Sequence, residues 1–306
     1  MRPVTVTSFF VWTILFLLCA SPASTGVLAD EHRTDAEIEN EFVQTRTCDP
    51  DGNIQSPCTE DQQSIPIQWN SNTVRYQIND RGSQQMHPDD DRITDDIKHS
   101  IIESFDVWNE QECSDFDMIY DGTTTREDTG FDPDIPVDDN LNLVVWRDDQ
   151  WPHAQQFAVA LTTVTFRPSN GEILSADIEL NTDKFRFTDS DDDVEIDLRN
   201  TMTHEVGHFL GLDHSPNDTA TMYFSAEPGE TFKRDLHDAD VAGLCNVYPE
   251  GVEPDLEDST NGTGTNGGQG DSDDSRCSMT GQSPDPALLI VALIGLFTFL
   301  RRRSPR

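Results

Sequence analysis

The sequence predicts an α+β domain in which a small, twisted mixed sheet packs on helices and leaves an extended cleft. Two patterns predict it. Short segments alternate apolar and polar residues, as half-buried strands do, and longer segments repeat apolar residues at three- and four-residue spacing, as amphipathic helices do. The chain has 306 residues, and about two thirds of it remains for folding once both ends are set aside, which suits one domain of ordinary size.

The predicted elements follow one another from residue 72 to residue 180. The segment 72–80 alternates apolar and polar side chains, which predicts a strand ending at the turn Asp80-Arg81-Gly82. A helix is predicted next, after the acidic run 89–91 that favours a helix N-terminus, with one apolar face: Ile93, Ile97, Ile101, Phe105 and Trp108. Three further strands are predicted at 140–146, 157–166 and 173–180, the last two joined by a turn at 167–171.

Composition divides the chain into five segments. Residues 1–23 combine a basic start, an apolar run and small residues, which is the layout of a signal peptide. Residues 24–60 are polar without periodicity and indicate a pro-segment or lead-in, and residues 61–249 form the predicted folded domain. Residues 250–276 are rich in Gly, Ser, Thr, Asn and Asp, which predicts a flexible acidic linker. Residues 277–306 form a tail whose apolar run, 287–300, is short for a membrane span of about 20 residues.

Charge and cysteine content restrict the partners and the compartment. The formal net charge of −38 excludes nucleic acid as a partner, because a polyanion would be repelled. Solubility, calcium binding or a saline habitat would each explain such an acidic surface. Export would place the cysteines in an oxidising compartment, where we expect Cys48 to pair with Cys58 and Cys113 with Cys245, although other pairings stay open.

One segment carries the candidate chemistry: residues 204–214 follow the pattern H-E-x-x-H-x-x-G-x-x-H. Residues four apart on a helix stand one turn above each other at roughly 6 Å, so His204 and His208 can bind one zinc ion. The opposite face of that helix is apolar and anchors it: Leu198, Met202, Val206 and Phe209. The five fixed positions arise by chance in about one chain of this length in 10⁵.

The remaining residues of the pattern complete a catalytic zinc site. Gly211 lets the chain turn sharply out of the helix, which brings His214 back as the third ligand. The fourth position stays open for a water whose pKa falls to about 7 on zinc. Glu205 can take the proton of that water and pass it to the leaving amine, so it is the candidate general base.

The full pattern resembles that of the metzincin peptidases. Ser215 after the third histidine, the stretch 220–223 and the stretch 236–244 are similar to the matrixin branch, and the resemblance covers roughly residues 70 to 249. It implies a zincin-like catalytic fold, zinc-dependent endopeptidase activity and Met222 as a packing residue beneath the metal. It also implies that the segment 222–232 walls the pocket for the substrate side chain after the cut bond.

The resemblance further implies that a peptide substrate lies antiparallel to an edge strand. The candidate strand is 158–165, with Ala160, Leu161 and Thr162 as substrate-binding residues, and an interior strand is the alternative. In the next strand, Asp177 and Glu179 point to one side and offer hard oxygen atoms, so calcium is a candidate second cofactor there. A solvated acidic face is the simpler interpretation.

Both ends of the chain carry weaker resemblances. Residues 46–51 resemble the matrixin cysteine switch, in which a thiolate occupies the open zinc position, but the spacing differs and Cys58 offers a disulfide. The tail resembles the sorting tails of myxobacterial and related surface proteins, with Cys277 as the attachment point before an apolar run and an arginine cluster. An ordinary short membrane anchor is the alternative.

Together these features predict a monomeric, secreted or surface-anchored zinc metalloendopeptidase that acts on extracellular proteins or peptides. The tail would link it to the membrane or cell envelope. A surface adhesion or zinc-binding module without general proteolysis is one alternative, but an intact Glu205 argues against it, since a structural zinc site is usually closed by a fourth ligand. A maturase for one partner protein is the other.

Overall fold

The computed structural model describes residues 41–48, 64–86, 92–153, 157–254 and 289–293, with the backbone alone for the last range. A central sheet in the order β11-β6-β7-β5-β3-β4 forms the framework. Its strands are β3 (Thr73–Asn79), β4 (Asp117–Thr124), β5 (Leu143–Trp146), β6 (Ala160–Phe166), β7 (Glu172–Leu180) and β11 (Leu289–Leu293). The short strand β2 (Gln68–Trp69) also pairs with β7.

The sheet is mixed, as predicted. Strands β3, β4, β5 and β7 are parallel, whereas β6 runs antiparallel to β7, with Ala160 opposite Leu180. The predicted strands are present, three with shorter bounds and β7 with one additional residue at its start, and β4 was not predicted from the sequence. In the described part of the chain, four two-residue strands lie outside this sheet: β1 (Val43–Gln44), β8 (Phe187–Thr188), β9 (Ile196–Asp197) and β10 (Leu212–Asp213). Two 3-10 turns, Val137–Asp139 and Phe232–Arg234, also lie outside it.

In the part of the chain that the structure describes, three helices pack on this framework: α1 (Asp95–Asn109), α2 (Leu198–Phe209) and α3 (Asp238–Val247). The predicted apolar face of α1 is buried at Ile97, Ile101, Phe105 and Trp108. The helix begins after Thr94, whose side chain accepts a hydrogen bond from the backbone of Ile97, so Ile93 precedes the helix. The acidic run 89–91 lies outside the described residues.

An aromatic cluster joins the sheet, α1 and α2. The ring of Tyr76 in β3 stacks on that of Phe105 in α1 at 3.7 Å between centroids, and Phe105 meets Phe209 of α2 edge-on at 5.7 Å. Trp69 packs on Phe209 and donates its indole N–H to the Phe209 carbonyl at 2.9 Å. Large buried rings contribute most to a core of this size, so the cluster fixes α2 against the sheet.

The segment 41–48 packs against the folded domain, although the sequence placed it in the lead-in of residues 24–60. Its strand β1 (Val43–Gln44) runs antiparallel to β10, just after α2. The Ser215 hydroxyl donates to the Glu41 carbonyl at 2.5 Å, and the Asn217 amide donates to the Glu41 carboxylate at 2.7 Å. The segment therefore supports the chain on both sides of residue 214.

The disulfide between Cys113 and Cys245 is present, as predicted, and links the end of α1 to α3. Cys48 is also disulfide-bonded, which removes the thiol that a cysteine switch requires. Its predicted partner Cys58 lies outside the described residues, as do Cys277 and the proposed signal peptide. Among the described residues, no helix combines the length and the apolar character needed to cross a membrane.

Candidate metal centre

Helix α2 carries the first two histidines of the pattern and is held at both ends. Asp197 caps its N-terminus and accepts a hydrogen bond from the backbone of Asn200 at 2.7 Å. Near its C-terminus, the Tyr248 hydroxyl donates to the Leu210 carbonyl at 2.8 Å. The predicted anchoring face is buried, and it consists of Leu198, Met202, Val206 and Phe209.

The three histidines converge at the end of α2. His204, His208 and His214 each offer one ligand atom, and these atoms lie within 4.8 Å of one another. The Nε2 atoms of His208 and His214 are 3.2 Å apart. Within the described ranges this is the one group of three or more potential ligand side chains, and its nitrogen donors suit zinc.

Backbone carbonyls orient two of the imidazoles. Nδ1 of His204 lies 2.7 Å from the Thr221 carbonyl, and Nδ1 of His208 lies 2.8 Å from the Leu212 carbonyl. A carbonyl only accepts a hydrogen bond, so each Nδ1 carries the proton and each Nε2 keeps its lone pair for a metal ion. Gly211 has φ +90°, and a Cβ there would lie 2.7 Å from the Ile67 carbonyl oxygen, so a glycine is required at the predicted turn towards His214.

The electrostatics favour neutral imidazoles. Burial lowers the pKa of His204 well below its ordinary value and also lowers that of His208. Burial, His208 and Lys233 together lower the pKa of His214 to about 2. The neutral form is the one that binds metal, so all three side chains are in the ligand form at pH 7.

Glu205 lies beside the histidines and is completely buried. Its Oε2 accepts a hydrogen bond of 2.6 Å from the Thr162 hydroxyl, whereas its Oε1 has no hydrogen-bond partner among the described residues. Burial raises the pKa of Glu205 to about 8, and the Thr162 hydrogen bond opposes that rise. A nearby dication would favour the carboxylate, so the buried, unpaired oxygen and the converging imidazoles fit a zinc ion with a base at its open side.

The turn that contains Thr221 and Met222 packs beneath the three histidines and Glu205. A Cβ atom added to Gly207 would lie 2.1 Å from the Met222 sulfur, so the absence of a side chain at Gly207 allows the methionine to pack against α2. The Asp240 carboxylate accepts the backbone N–H groups of Thr221 and Met222 at 2.8 and 3.0 Å. Asp240 thus fixes the turn whose Thr221 carbonyl orients His204, and the Met222 side chain packs against Gly207 of α2.

The candidate substrate strand is β6, and its side chains are more buried than expected. Ala160, Leu161 and Thr162 are all inaccessible to solvent, and Thr162 directs its hydroxyl to Glu205. On the outer side of β6 the backbone of β11 runs antiparallel, with Leu293 opposite Thr162 and Leu289 opposite Phe166. A peptide bound antiparallel to β6 would occupy that same side, so the assignment of these three residues to substrate binding stays a prediction.

Asp177 and Glu179 lie away from the histidines, and the idea of a solvated acidic face was wrong. Both are buried, because β7 is covered on both faces. Asp177 accepts the backbone N–H groups of Gly130 and Leu143 at 2.7 and 2.9 Å. Glu179 pairs with Arg147 and with His153, the latter at 2.9 Å. Protein donors thus occupy these oxygens, and calcium at Asp177 and Glu179 stays a prediction.

Comparison with known proteins agrees with this geometry. The matrixin family model matches residues 68–249, which include the sheet from β2 to β7, all three helices and the histidine cluster. The chain belongs to the matrixin family. The expected metzincin-type fold, a mixed sheet packed on helices, is confirmed.

Several matrixin relatives share sequence with the chain. Metalloendoproteinase 1-MMP of Arabidopsis thaliana is 30% identical over 197 residues, which are 61% of this chain and 46% of the relative. Metalloendoproteinase 4-MMP of the same plant is 35% identical over 92 residues, 30% of this chain and 25% of the relative. A probable matrix metalloproteinase of Invertebrate iridescent virus 3 is 34% identical over 90 residues, 29% of this chain and 23% of the relative. The chain spans less than half the length of these relatives.

Several residues of this matrixin site were missed in the sequence. Thr162 was predicted to bind substrate because of its position in a strand, and its hydroxyl was not considered. Nothing in the sequence connects it with Glu205, which is 43 positions away. The role of Gly207 depends on the position of Met222, which only the folded chain shows. Asp240 was available as an acidic residue in the stretch 236–244, and its position three residues after His237 is that of a capping-box acid.

Proposed function

We propose that this matrixin is a zinc-dependent metalloendopeptidase that hydrolyses peptide bonds of extracellular proteins. The observation that supports this proposal most strongly is the convergence of three neutral imidazoles beside the buried carboxylate of Glu205. Zinc is the expected metal of the family, and His204, His208 and His214 would hold it. The names of the plant relatives, metalloendoproteinases, support the same activity.

The residues of the site have distinct tasks in this reaction. Zinc, when bound, supplies a Lewis acid that polarises the substrate carbonyl and acidifies a water molecule. Glu205 takes a proton from the attacking water on Oε1, which has no hydrogen-bond partner among the described residues, and delivers it to the leaving amine nitrogen. Thr162 holds Oε2 in place during both transfers, and the carbonyls of Thr221 and Leu212 keep the imidazoles aligned.

Strand β6 is the proposed binding edge for the peptide. Main-chain pairing along Ala160, Leu161 and Thr162 would bring the scissile bond beside Glu205, because Thr162 contacts that residue directly. The antiparallel pairing of β11 with the same edge of β6 supports this proposal. A substrate would replace β11 there.

An exported protein anchored at the cell envelope is the proposed setting. The sequence of residues 1–23 and of the tail 277–306 supports it, with Cys277 as the attachment point. The disulfide between Cys113 and Cys245 supports it independently, because such bonds persist in oxidising compartments. We expect the protein to act as a monomer on protein or peptide substrates.

Cleavage of casein and of quenched-fluorescence peptides by the full-length protein tests the function. Activity that is lost with chelator, restored by zinc and absent in Glu205→Gln would establish the peptidase. If a folded sample binds one equivalent of zinc and cuts no peptide pool, general proteolysis is excluded, and a zinc-binding module or a maturase for one partner takes its place.

A further inference from the structure

A buried lysine, Lys233, contacts the chain segment that follows Met222. Lys233 is inaccessible to solvent, and its ammonium donates to the carbonyls of Tyr223 at 3.2 Å and Ser225 at 2.5 Å. These two carbonyls flank Phe224. Burying an ammonium is unfavourable unless oxygen atoms surround it, so the lysine requires this loop conformation and the loop backbone is held on both sides of Phe224.

The ring of Phe224 lies next to the metal centre. Its centroid is 6.3 Å from that of His214, at an interplanar angle of 66°. The residue is 37% exposed although it is large and apolar, and the ring of Tyr223 supports it at 4.6 Å. An exposed aromatic face beside a metal-binding histidine can contact a substrate side chain next to the cleaved bond.

The lysine is tied to the helix that carries His204 and His208. The side chain of Asn200, in the first turn of α2, accepts the Lys233 backbone N–H at 2.9 Å and donates to the Glu230 carboxylate at 3.4 Å. Glu230 lies 3.3 Å from the Lys233 ammonium and accepts the Glu227 backbone N–H at 3.1 Å. We call Asn200, Glu230 and Lys233 the loop clamp. It places the loop in a fixed position relative to the metal centre.

We propose that Lys233 is a positioning residue that holds Phe224 beside the metal centre, so that the preference for the substrate side chain next to the cleaved bond depends on this buried lysine. The inference rests on the proposed peptidase function and deepens it. An apolar residue of similar length would fill the space of Lys233, but it offers no donor to the two carbonyls. The loop would then be free to move Phe224 away from His214.

The test compares full-length, zinc-loaded variants on quenched peptides that carry Phe, Leu, Ala or Gly on each side of the cut bond. The wild type is expected to prefer Phe or Leu, and Lys233→Met to lower that preference about tenfold, mainly through KM, with kcat on the Ala peptide nearly unchanged. Glu230→Gln combined with Lys233→Met removes both charges and is expected to lose the same preference. Lys233→Arg restores part of it. Lys184→Met, at an exposed lysine paired with Asp183, is the matched control.

Amide hydrogen exchange provides a readout independent of activity. Lys233→Met is expected to speed exchange in residues 223–230 and to leave α2 unchanged. Phe224→Ala, at a partly exposed residue, is expected to fold and to reproduce the loss of preference. The proposal is overturned if Phe224→Ala or the folded Lys233 variants keep the wild-type preference. If the wild type cuts no peptide, the proposed peptidase function fails. If, in addition, exchange in residues 223–230 of Lys233→Met equals that of the wild type, the positioning role of Lys233 is overturned as well.

Discussion

Replacing Thr162 by valine removes one hydroxyl from the site and keeps the shape of the side chain. That hydroxyl donates a hydrogen bond of 2.6 Å to Glu205, and both residues are buried. A hydrogen bond to a charged group contributes about 1.5–3 kcal/mol, and each 1.36 kcal/mol corresponds to a factor of ten in rate. If the bond holds the base in its working position, Thr162→Val should lower kcat/KM by roughly 10- to 100-fold.

The assay is peptide cleavage at saturating zinc, together with zinc stoichiometry and a thermal melt for each variant. Thr162→Ser keeps the hydroxyl and should retain most activity. Thr165→Val is the matched control, because Thr165 is a buried residue of the same strand whose hydroxyl has no hydrogen-bond partner among the described residues. Wild-type kcat/KM in folded, zinc-loaded Thr162→Val would refute the reasoning, and equal losses in both valine variants would show a packing effect.

Four further predictions follow from the structure. Glu205→Gln should bind zinc with wild-type stoichiometry by atomic absorption and show no measurable peptide cleavage. Gly207→Ala should destabilise the fold by about 1–3 kcal/mol in urea unfolding, because its Cβ would meet the Met222 sulfur at 2.1 Å. The double change of Cys113 and Cys245 to serine should lower the free energy of unfolding by up to about 5 kcal/mol, the loop-closure value for a separation of 132 residues. Deletion of residues 255–306 removes β11 from the outer side of β6, so KM should fall relative to the full chain, and an unchanged KM would show that β11 does not compete with substrate.

Periodicity in the sequence was sufficient for the elements that carry a single buried face. Helix α1 and strand β3 were predicted because their apolar residues repeat at the spacing that burial requires. Strands β6 and β7 are buried on both faces, and they were predicted instead from their apolar and β-branched residues and the turn between them. Strand β4 was missed since its residues are mostly half-exposed at the sheet edge and include Gly122. An edge strand of this composition has no clear alternation to detect.

The metal ligands could be predicted because their geometry is local: one helical turn separates His204 from His208, and a single glycine returns His214. The contacts that support them are not local. Thr162 of strand β6 reaches Glu205 of helix α2, and Lys233 reaches the carbonyls beside Phe224 from beyond a turn. Asp177 and Glu179 show the same limit, because alternation places them on one side of β7 without revealing that the Gly130 backbone or Arg147 covers that side.

The disulfide between Cys113 and Cys245 determines whether the folded chain stays in one piece after proteolytic cleavage. All three histidines, the whole of α2 and strands β4 to β10 lie in the loop of chain that this bond closes. A nick in an exposed turn such as the acidic stretch 189–193 would therefore leave two fragments joined covalently, each still packed on the other. Autolysis at such a point would be visible on a reducing gel and hidden on a non-reducing one. The bond would thus keep the candidate metal centre in one covalent unit after a cut at the surface.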